Sequence, residues 1–407
     1  MPTASTTSSS LRFGKRVLKV CRDTGLILAI AFFLLLGMEI TARVFLLARV
    51  GWDEYLKYEY RHDPVYLVSG ERELNSLGFR GREFSVRKPR GVTRFILVGG
   101  SEVFGVYVTL EDSLPVILER KLKEAFPKRD FEVVNAGRLG SVAANEALLM
   151  EQLVNLEPNG IIVFNGWNDI YHARYLPGQY EKVMQDTTEK FQWDRELSRW
   201  FRRHLWTVRK IREWRDDRKR KRREKEGLDI GKKLEDEWIR KLPETKEATE
   251  KGEPMISFGW SGGYVHYPLS QLPPPSPMFK QGYCDNLIRM AQIAKRRGIP
   301  IILIFQPDLG YHKLNRPLSV EEEEAFEIST RVFSKDWFET VKKLYPLGVD
   351  TMRKAAEAVG VPFYDFSLAL LDAPVNGFGD TVHLNGFGNA YVAKKMTPLL
   401  QPIIERT

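Results

Sequence analysis

Short runs of β-branched and other apolar residues alternate with helical patterns over most of the chain, and this alternation constrains the fold more than any other feature. The runs predict five strands, at residues 94–98, 131–135, 160–165, 300–306 and 361–365. Helices are predicted between and after them, at residues 112–126, 141–156, 283–297, 336–359 and 386–401. Such alternation is typical of an α/β fold. We therefore expect one doubly wound domain with a five-stranded parallel sheet, whose ligands bind beyond the carboxyl ends of the strands.

Composition and charge exclude several classes of protein. Of the 407 residues, 43% are hydrophobic and 28% charged, which suits a globular chain with a large core and excludes an intrinsically disordered one. The two cysteines, Cys21 and Cys284, cannot supply a disulfide framework. The net charge of +9 is concentrated in residues 1–23 and 209–226, which carry +4 and +6. Because a nucleic-acid binder spreads its basic residues over a folded face, we expect no nucleic-acid partner.

The amino-terminal region contains a candidate membrane span. Residues 24–38 carry no charge, and extending the helix to residue 47 includes only Glu39 and Arg43, which are spaced to form a pair. A helix over 24–47 is about 36 Å long, more than the ~30 Å of a hydrocarbon core. A signal-anchor helix, a cleaved signal peptide and a buried core helix all fit this pattern. The absence of a clear A-x-A cleavage site favours the anchor.

The charge flanking this segment predicts its orientation. Basic residues precede the span, so we expect residues 1–23 to be a cytoplasmic tail and the body to lie outside the cytoplasm, in the periplasm if the cell is Gram-negative. The lipid bilayer is then a partner through the helix. We expect residues 48–74 to connect this helix to the main domain.

The main domain is predicted to cover residues 75–407, with an insertion at 171–280. About 130 residues separate the third and fourth predicted strands, far more than a crossover needs. Within the insertion, the basic run 209–226 is expected to be a solvated helix or a contact with an anionic membrane or polymer. Its tryptophans could form a small core, line a lipid slot or stack on sugar rings, and are Trp193, Trp200, Trp206, Trp214 and Trp260.

Four polar turns, each containing or flanked by glycine or small polar residues, occur at or beyond the ends of predicted strands. They read GGS at 99–101, NAGRLG at 135–140, GWND at 166–169 and DTVH at 380–383. Strand ends in a parallel sheet share one edge, so we expect the four turns to converge. Hydrolysis of an ester needs a nucleophile, a base, a group that orients the base and donors for the oxyanion. The four turns contain a candidate for each.

The candidate roles follow from the residue types. Ser101 is the candidate nucleophile, and His383 would take its proton and return it to the leaving group. Asp380 can bind the other imidazole nitrogen. Asn168 offers an amide donor, and Gly140 and Ser101 offer backbone N–H groups. Each of these residues, taken singly, also fits a turn or a helix cap. We assign structural roles to five further polar residues: Glu102, His62, His172, His266 and His312.

In this order, the four motifs resemble the blocks of the SGNH hydrolases, also called the GDSL esterase/lipase superfamily. The resemblance covers roughly residues 75–400, and the lead-in NSLGFR at 75–80 looks like that of membrane-tethered bacterial members. It implies a flavodoxin-like three-layer α/β/α domain, a Ser101–His383–Asp380 triad and an oxyanion hole from Ser101, Gly140 and Asn168. Gly140 is preferred to Gly137 because the family's oxyanion glycine lies five residues after the asparagine of its block. The first block departs from Gly-Asp-Ser-Leu, since it reads Gly-Gly-Ser-Glu.

The resemblance implies a membrane-anchored, extracytoplasmic serine esterase that works through an acyl-enzyme on an ester-bearing substrate, such as an acylated glycan or lipid. The sequence contains no P-loop, H-E-x-x-H motif or Cys/His cluster, so no cofactor or metal is expected. Two alternatives stay open: an O-acetyltransferase that modifies a cell-envelope polysaccharide, and a catalytically inactive polymer-binding domain. The residues do not distinguish water from a sugar hydroxyl as the acyl acceptor.

Overall fold

The computed structural model describes residues 23–27, 29–45, 47–49, 51, 73–188, 214, 218, 255–260, 263–268, 274–332 and 336–406. These residues fall into two units, one containing the amino-terminal helix and the other the parallel sheet. Most of the predicted tail, connector and basic run lies outside the described residues. So do Trp193, Trp200 and Trp206 and the side chain of Trp260, whereas Trp214 is exposed.

The described part of the first unit is dominated by one helix, Asp23–Arg49, which is long and apolar enough to cross a membrane. Only 6% of the apolar stretch of this helix is buried, which argues against a buried core helix. Arg43 Nε donates a hydrogen bond of 2.8 Å to Glu39 Oε1, as the spacing of the two residues predicts.

The second unit is built on the predicted five-stranded parallel sheet. Its described strands, in chain order, are β1 Val92–Gly99, β2 Asp130–Gly137, β3 Gly160–Asn165, β4 Met255–Trp260, β5 Gly263–Pro268, β6 Ile301–Phe305 and β7 Phe363–Asp365. The parallel sheet has the order β2-β1-β3-β6-β7, and β4 and β5 form a separate antiparallel pair. The order reverses between β1 and β3, and this switch point is where open α/β sheets bind ligands.

Strand register brings the turn motifs to one level. Gly99 at the end of β1 is paired with Gly137 of β2 and with Phe164 of β3, so the three strands end side by side. β3 and β6 are buried along their whole length because helices cover both faces of the sheet. β7 is shorter than the predicted strand 361–365, since it pairs with β6 through only three residues.

Helices form the two outer layers of the sandwich. The five predicted helices are present as Leu114–Ala125, Ala143–Leu153, Phe279–Arg296, Trp337–Val359 and Gly386–Ile404. The first and last of these pack together, and the middle three pack together as the other layer. The domain is therefore a three-layer α/β/α sandwich.

Further helices occur where the sequence predicted loops or an insertion. They are Ser101–Phe104, Trp167–Tyr175, Pro177–Thr188, Leu309–Lys313 and Val320–Val332. The predicted helix 141–156 ends in a 3₁₀ turn at Val154–Leu156. Tyr175, Tyr180 and Met184 are buried, so residues 171–184, assigned by the sequence to the insertion, contribute to the core of this unit.

Candidate active site

Ser101 starts a one-turn helix directly after β1, and two glycines make room for it. A side chain at Gly99 would place its Cβ 2.2 Å from the carbonyl oxygen of Phe164 on β3. A side chain at Gly100 would place its Cβ 2.3 Å from Nδ2 of Asn168. Gly99 is therefore limited to glycine by the neighbouring backbone, whereas a side chain at Gly100 would displace the side-chain ends of Asn168 and Glu102. This packing allows Asn168 to approach the backbone next to Ser101.

The structure brings Ser101, His383 and Asp380 into one chain of hydrogen bonds. Oγ of Ser101 lies 2.7 Å from Nε2 of His383, although the two residues are 282 positions apart. Nδ1 of His383 lies 2.7 Å from Oδ2 of Asp380. The other carboxylate oxygen accepts the backbone N–H groups of Val382 and His383, at 2.8 and 2.7 Å. The imidazole is thus oriented with one nitrogen toward the serine hydroxyl.

Electrostatics favours a charged imidazole beside a charged carboxylate. Burial alone would raise the pKa of Asp380, but the charge of His383 and hydrogen bonds from its imidazole and two backbone N–H groups hold that pKa below its ordinary value. Burial alone would lower the pKa of His383, but the charge and hydrogen bond of Asp380 outweigh it, and the pKa is raised. A proton taken from Ser101 would therefore be stabilised on the imidazole.

Asn168 and the turn before Ala143–Leu153 lie against each other beside the serine. Asn168 is the second residue of Trp167–Tyr175, and its Nδ2 donates to the carbonyl oxygen of Ser141 at 2.8 Å. Gly140, which precedes Ser141, has a φ of +64°, a backbone conformation that favours glycine. The space around Gly140 is open, so the conformation and not packing accounts for the glycine. The predicted oxyanion donors therefore belong to contiguous segments.

Gly137 has a different role from Gly140. A Cβ at Gly137 would lie 2.2 Å from the backbone nitrogen of Phe104, so this glycine lets the one-turn helix of the serine pack on the end of β2. This packing explains the second glycine of the motif. Gly140 stays the predicted oxyanion donor of this turn.

Glu102, to which the sequence assigned only a structural role, lies next to the candidate triad. The side chain is buried, and Oε1 accepts the backbone N–H of Gly100 at 2.8 Å. Burial raises the pKa of Glu102, opposed by hydrogen bonds from backbone N–H groups and by the charge of His383. Its charge in turn contributes to the raised pKa of His383.

Two more buried carboxyl groups lie behind the site. Asp169 accepts the backbone N–H of Ala143 and the hydroxyl of Tyr180, each at 3.0 Å, which ties three helices together. Burial raises its pKa to about 7 against these two hydrogen bonds. Glu146 accepts a hydrogen bond from Asn165, and burial together with the charge of Asp169 raises its pKa well above the ordinary value.

Asp308, which the sequence did not single out, anchors the turn that carries His383. Its Oδ2 accepts the hydroxyl of Thr381 at 3.1 Å and the indole N–H groups of Trp167 and Trp337 at 3.0 and 3.2 Å. Burial raises the pKa of Asp308 to about 7, opposed by these donors and the backbone N–H of Tyr311. The sequence does contain a signal for this residue. Asp308 follows the predicted strand 300–306 by two positions, which places its carboxyl group at the same edge of the sheet as the four turns.

Two of the remaining histidines are core residues. Burial lowers the pKa of His172 to about 3. It also lowers the pKa of His312 to about 4, and Nδ1 of that ring lies 2.8 Å from the carbonyl oxygen of Asp308. His62 and the side chain of His266 lie outside the described residues. Within the described part of the chain, no group of three His, Cys, Asp or Glu side chains is arranged to hold a metal ion.

No protein-family model and no curated protein matches this chain. Solved structures with a similar backbone include an acetyl xylan esterase, AlAXEase, at 14% identity and a TM-score of 0.36, covering 75% of this chain and 99% of that one. A GDSL-like lipase from Bacteroides thetaiotaomicron VPI-5482 has 11% identity and a TM-score of 0.34, covering 77% and 89%.

A member of the lipolytic protein G-D-S-L family from Veillonella parvula DSM 2008 has 10% identity and a TM-score of 0.38, covering 76% of this chain and 98% of that one. Because each of these TM-scores lies below 0.5, the functional conclusions for this chain rest on the geometry of its own site.

Proposed function

We propose that this protein is a serine esterase of the SGNH type that hydrolyses an ester through an acyl-enzyme. The observation that carries the proposal is the continuous hydrogen-bond chain from Ser101 Oγ through His383 to Asp380, with Asn168 next to the nucleophile. A nucleophile, an oriented base and an amide donor at the switch point of a parallel sheet are the parts that acyl transfer requires.

In the first half-reaction, Ser101 Oγ attacks the carbonyl carbon while its proton moves to Nε2 of His383. Asp380 holds the imidazole and stabilises its positive charge. The negative charge that develops on the carbonyl oxygen is met by the backbone N–H groups of Ser101 and Gly140 and by the side-chain amide of Asn168. His383 then gives its proton to the departing alcohol, which leaves an acyl group on Ser101.

In the second half-reaction, water takes the place of the alcohol. His383 removes a proton from the water as it attacks the acyl-enzyme, and the same donors stabilise the second oxyanion. Collapse of this intermediate returns the proton to Ser101 and releases a carboxylic acid. A sugar hydroxyl could replace water here without any change in these residues, which is why hydrolysis and acyl transfer share one site.

We also propose that the helix Asp23–Arg49 anchors the enzyme in a membrane. Its length and apolar composition support a span, and the exposure of its apolar side chains supports a lipid partner. The basic residues that precede it favour a cytoplasmic amino terminus. The substrate would then be an ester outside the cytoplasm.

The experiment that tests the esterase proposal is intact-mass analysis of the full-length protein in detergent after treatment with a fluorophosphonate. We expect one adduct on the wild type and on Ser85→Ala, an exposed serine that serves as the matched control. Ser101→Ala should give no adduct, and His383→Ala should react far more slowly, since loss of the triad histidine costs a serine protease about 10⁶-fold in kcat. Equal labelling of Ser101→Ala, or no adduct on folded wild type, would contradict the proposal.

A further inference from the structure

Tyr107 is an exposed aromatic residue held in an unfavourable backbone conformation beside the candidate base. Its φ of +69° lies in the left-handed region, which strains the backbone of a non-glycine residue. The side chain is 76% exposed, although an isolated aromatic of this size usually gains from burial. Its ring centre lies 5.2 Å from that of His383, with the two rings nearly perpendicular at 87°.

A buried arginine fixes the segment that carries this ring. Arg80 Nη1 donates to the carbonyl oxygens of Phe104, at 2.9 Å, and of Gly105. Its Nη2 donates to the carbonyl oxygen of Val108 at 2.8 Å. The guanidinium thus binds the backbone on both sides of Tyr107. The ring is therefore placed by the fold of the segment and not by burial of the ring itself.

The reaction geometry assigns the space beside Tyr107 to the alcohol part of an ester. The leaving alcohol receives its proton from Nε2 of His383, so its oxygen must lie close to that imidazole. The carbonyl oxygen lies instead toward Ser101, Gly140 and Asn168. A ring whose centre lies 5.2 Å from that of the imidazole is therefore within reach of the alcohol part.

Tyrosine offers an apolar ring face together with a hydroxyl at its tip. A pyranose ring presents a flat face of C–H groups surrounded by hydroxyls, which matches both parts. Partial desolvation beside the protein surface and the charge of Asp380 raise the pKa of the Tyr107 phenol, so its hydroxyl stays neutral at physiological pH and can both donate and accept. An unbranched small alcohol would contact the ring much less.

We propose that Tyr107 is a specificity-determining residue that packs against the alcohol part of the substrate and selects alcohols with a flat apolar face, such as sugar rings. The inference rests on the proposed esterase function and adds the class of alcohol that the site takes.

The test compares two ester series with the full-length protein in detergent. The first series varies the alcohol at constant acetyl group, with ethyl acetate and methyl glucoside acetylated at its primary hydroxyl. The second varies the acyl group at constant alcohol, with ethyl acetate, butyrate and hexanoate. The variants are Tyr107→Ala, Tyr107→Phe and Tyr107→Gly, with Tyr391→Ala as the control, because the Tyr391 ring contacts Phe387 and Lys395.

We expect Tyr107→Ala to lower kcat/KM for the acetylated glucoside about 10-fold, mainly through KM, while ethyl acetate changes less than about twofold. Tyr107→Phe should keep most of the selectivity because the ring remains. Tyr107→Gly removes the ring and the backbone strain together, so it should fold at least as stably as the wild type and still lose the selectivity. Tyr391→Ala and the acyl series should be unchanged.

Three results would overturn the assignment of Tyr107. An equal loss on both acetates would show that the residue acts through His383, and an altered acyl profile would place it on the acyl side. Unchanged selectivity in Tyr107→Gly would show that the ring contacts no substrate. If Ser101 reacts with the fluorophosphonate, any of these results contradicts only the Tyr107 inference. If it does not react and no ester is hydrolysed, the proposed function itself fails.

Discussion

Glu102 follows the candidate nucleophile and brings a second carboxyl group, besides that of Asp380, close to Ser101 and His383. Its Oε1 accepts the N–H of Gly100, so the side chain supports the backbone of the turn. Its charge also contributes to the raised pKa of His383, after the larger effect of Asp380. A residue that a sequence motif places next to the serine can therefore influence the base through space.

Replacing Glu102 by glutamine should shift the pH dependence of the esterase. His383 must be neutral to take the proton of Ser101, and Glu102→Gln removes a negative charge that favours its protonated form. We therefore expect the acid limb of kcat/KM to move to lower pH. Activity on the high-pH plateau should be largely retained, because the glutamine oxygen can still accept the N–H of Gly100.

The measurement is a pH profile of ester hydrolysis for the wild type, Glu102→Gln and a control. Glu151→Gln is a matched control, since Glu151 is paired with Arg296, at 3.7 Å, and is not among the groups that shift the pKa of His383. An acid limb that stays in place, or that moves to higher pH, would show that Glu102 does not act on the base.

At the scale of single residues, the sequence identified the polar groups that the structure brings together. Ser101, Asn168, Asp380 and His383 could be named because ester chemistry needs these residue types and strand ends supply one edge. The proximity of Tyr107 to His383 could not be read from the sequence, because Arg80, which binds the backbone on both sides of Tyr107, lies 27 positions away in the chain.

At the scale of elements, the lead-in segment at 75–80 forms part of the support of the site. Asn75 Oδ1 accepts the backbone N–H groups of Leu77 and Phe79, whose side chains are buried. This fold places the Arg80 guanidinium under the segment that follows the serine. The lead-in resembled a family motif in the sequence, and its contacts give that motif a physical role.

Arg80→Lys should therefore destabilise the fold more than the same change at a neighbouring position. A lysine lacks the planar fork that binds several carbonyl oxygens at once, and the carbonyls left without a donor cost about 2–4 kcal/mol of unfolding free energy. Arg82→Lys is the matched control, because Arg82 is 63% exposed and pairs with Glu111 at 3.2 Å. Its effect should stay below about 1 kcal/mol.

The measurement is denaturant unfolding of the two variants and the wild type in detergent, followed by the alcohol series. Arg80→Lys should also lose part of the preference for the acetylated glucoside, because the backbone around Tyr107 is less restrained. Equal stability of the Arg80→Lys and Arg82→Lys proteins would show that Arg80 does not hold this segment.

The parallel sheet could be predicted from the sequence because strand and helix periodicities are local. The helix Trp167–Tyr175 could not, since eight of its nine residues are buried and its polar residues therefore do not mark a solvent-exposed face. Its first residue follows Gly166 immediately after β3, so no linker marked its start. Buried side chains of the sheet unit continue to Met184, inside the predicted insertion 171–280.

At the scale of the whole molecule, the helix Asp23–Arg49 separates two parts of the chain that should lie on opposite sides of a membrane. Residues 1–23 carry a net charge of +4, and the residues outside this segment and the run 209–226 are nearly neutral together. Charge next to the first span usually sets orientation, so the sheet unit should be outside the cytoplasm. An ester in the cell envelope would then be within reach of Ser101.

Two single-cysteine variants test this orientation in cells expressing the full-length protein. One keeps Cys21 and carries Cys284→Ser. The other carries Ser85→Cys, at an exposed position of the sheet unit, with both native cysteines replaced by serine. A membrane-impermeant maleimide should label the second variant in intact spheroplasts and the first only after permeabilisation, because Cys21 precedes the span. Labelling of Cys21 alone in intact spheroplasts would mean the opposite orientation, and a mature mass that lacks the helix would show a cleaved signal peptide in place of an anchor.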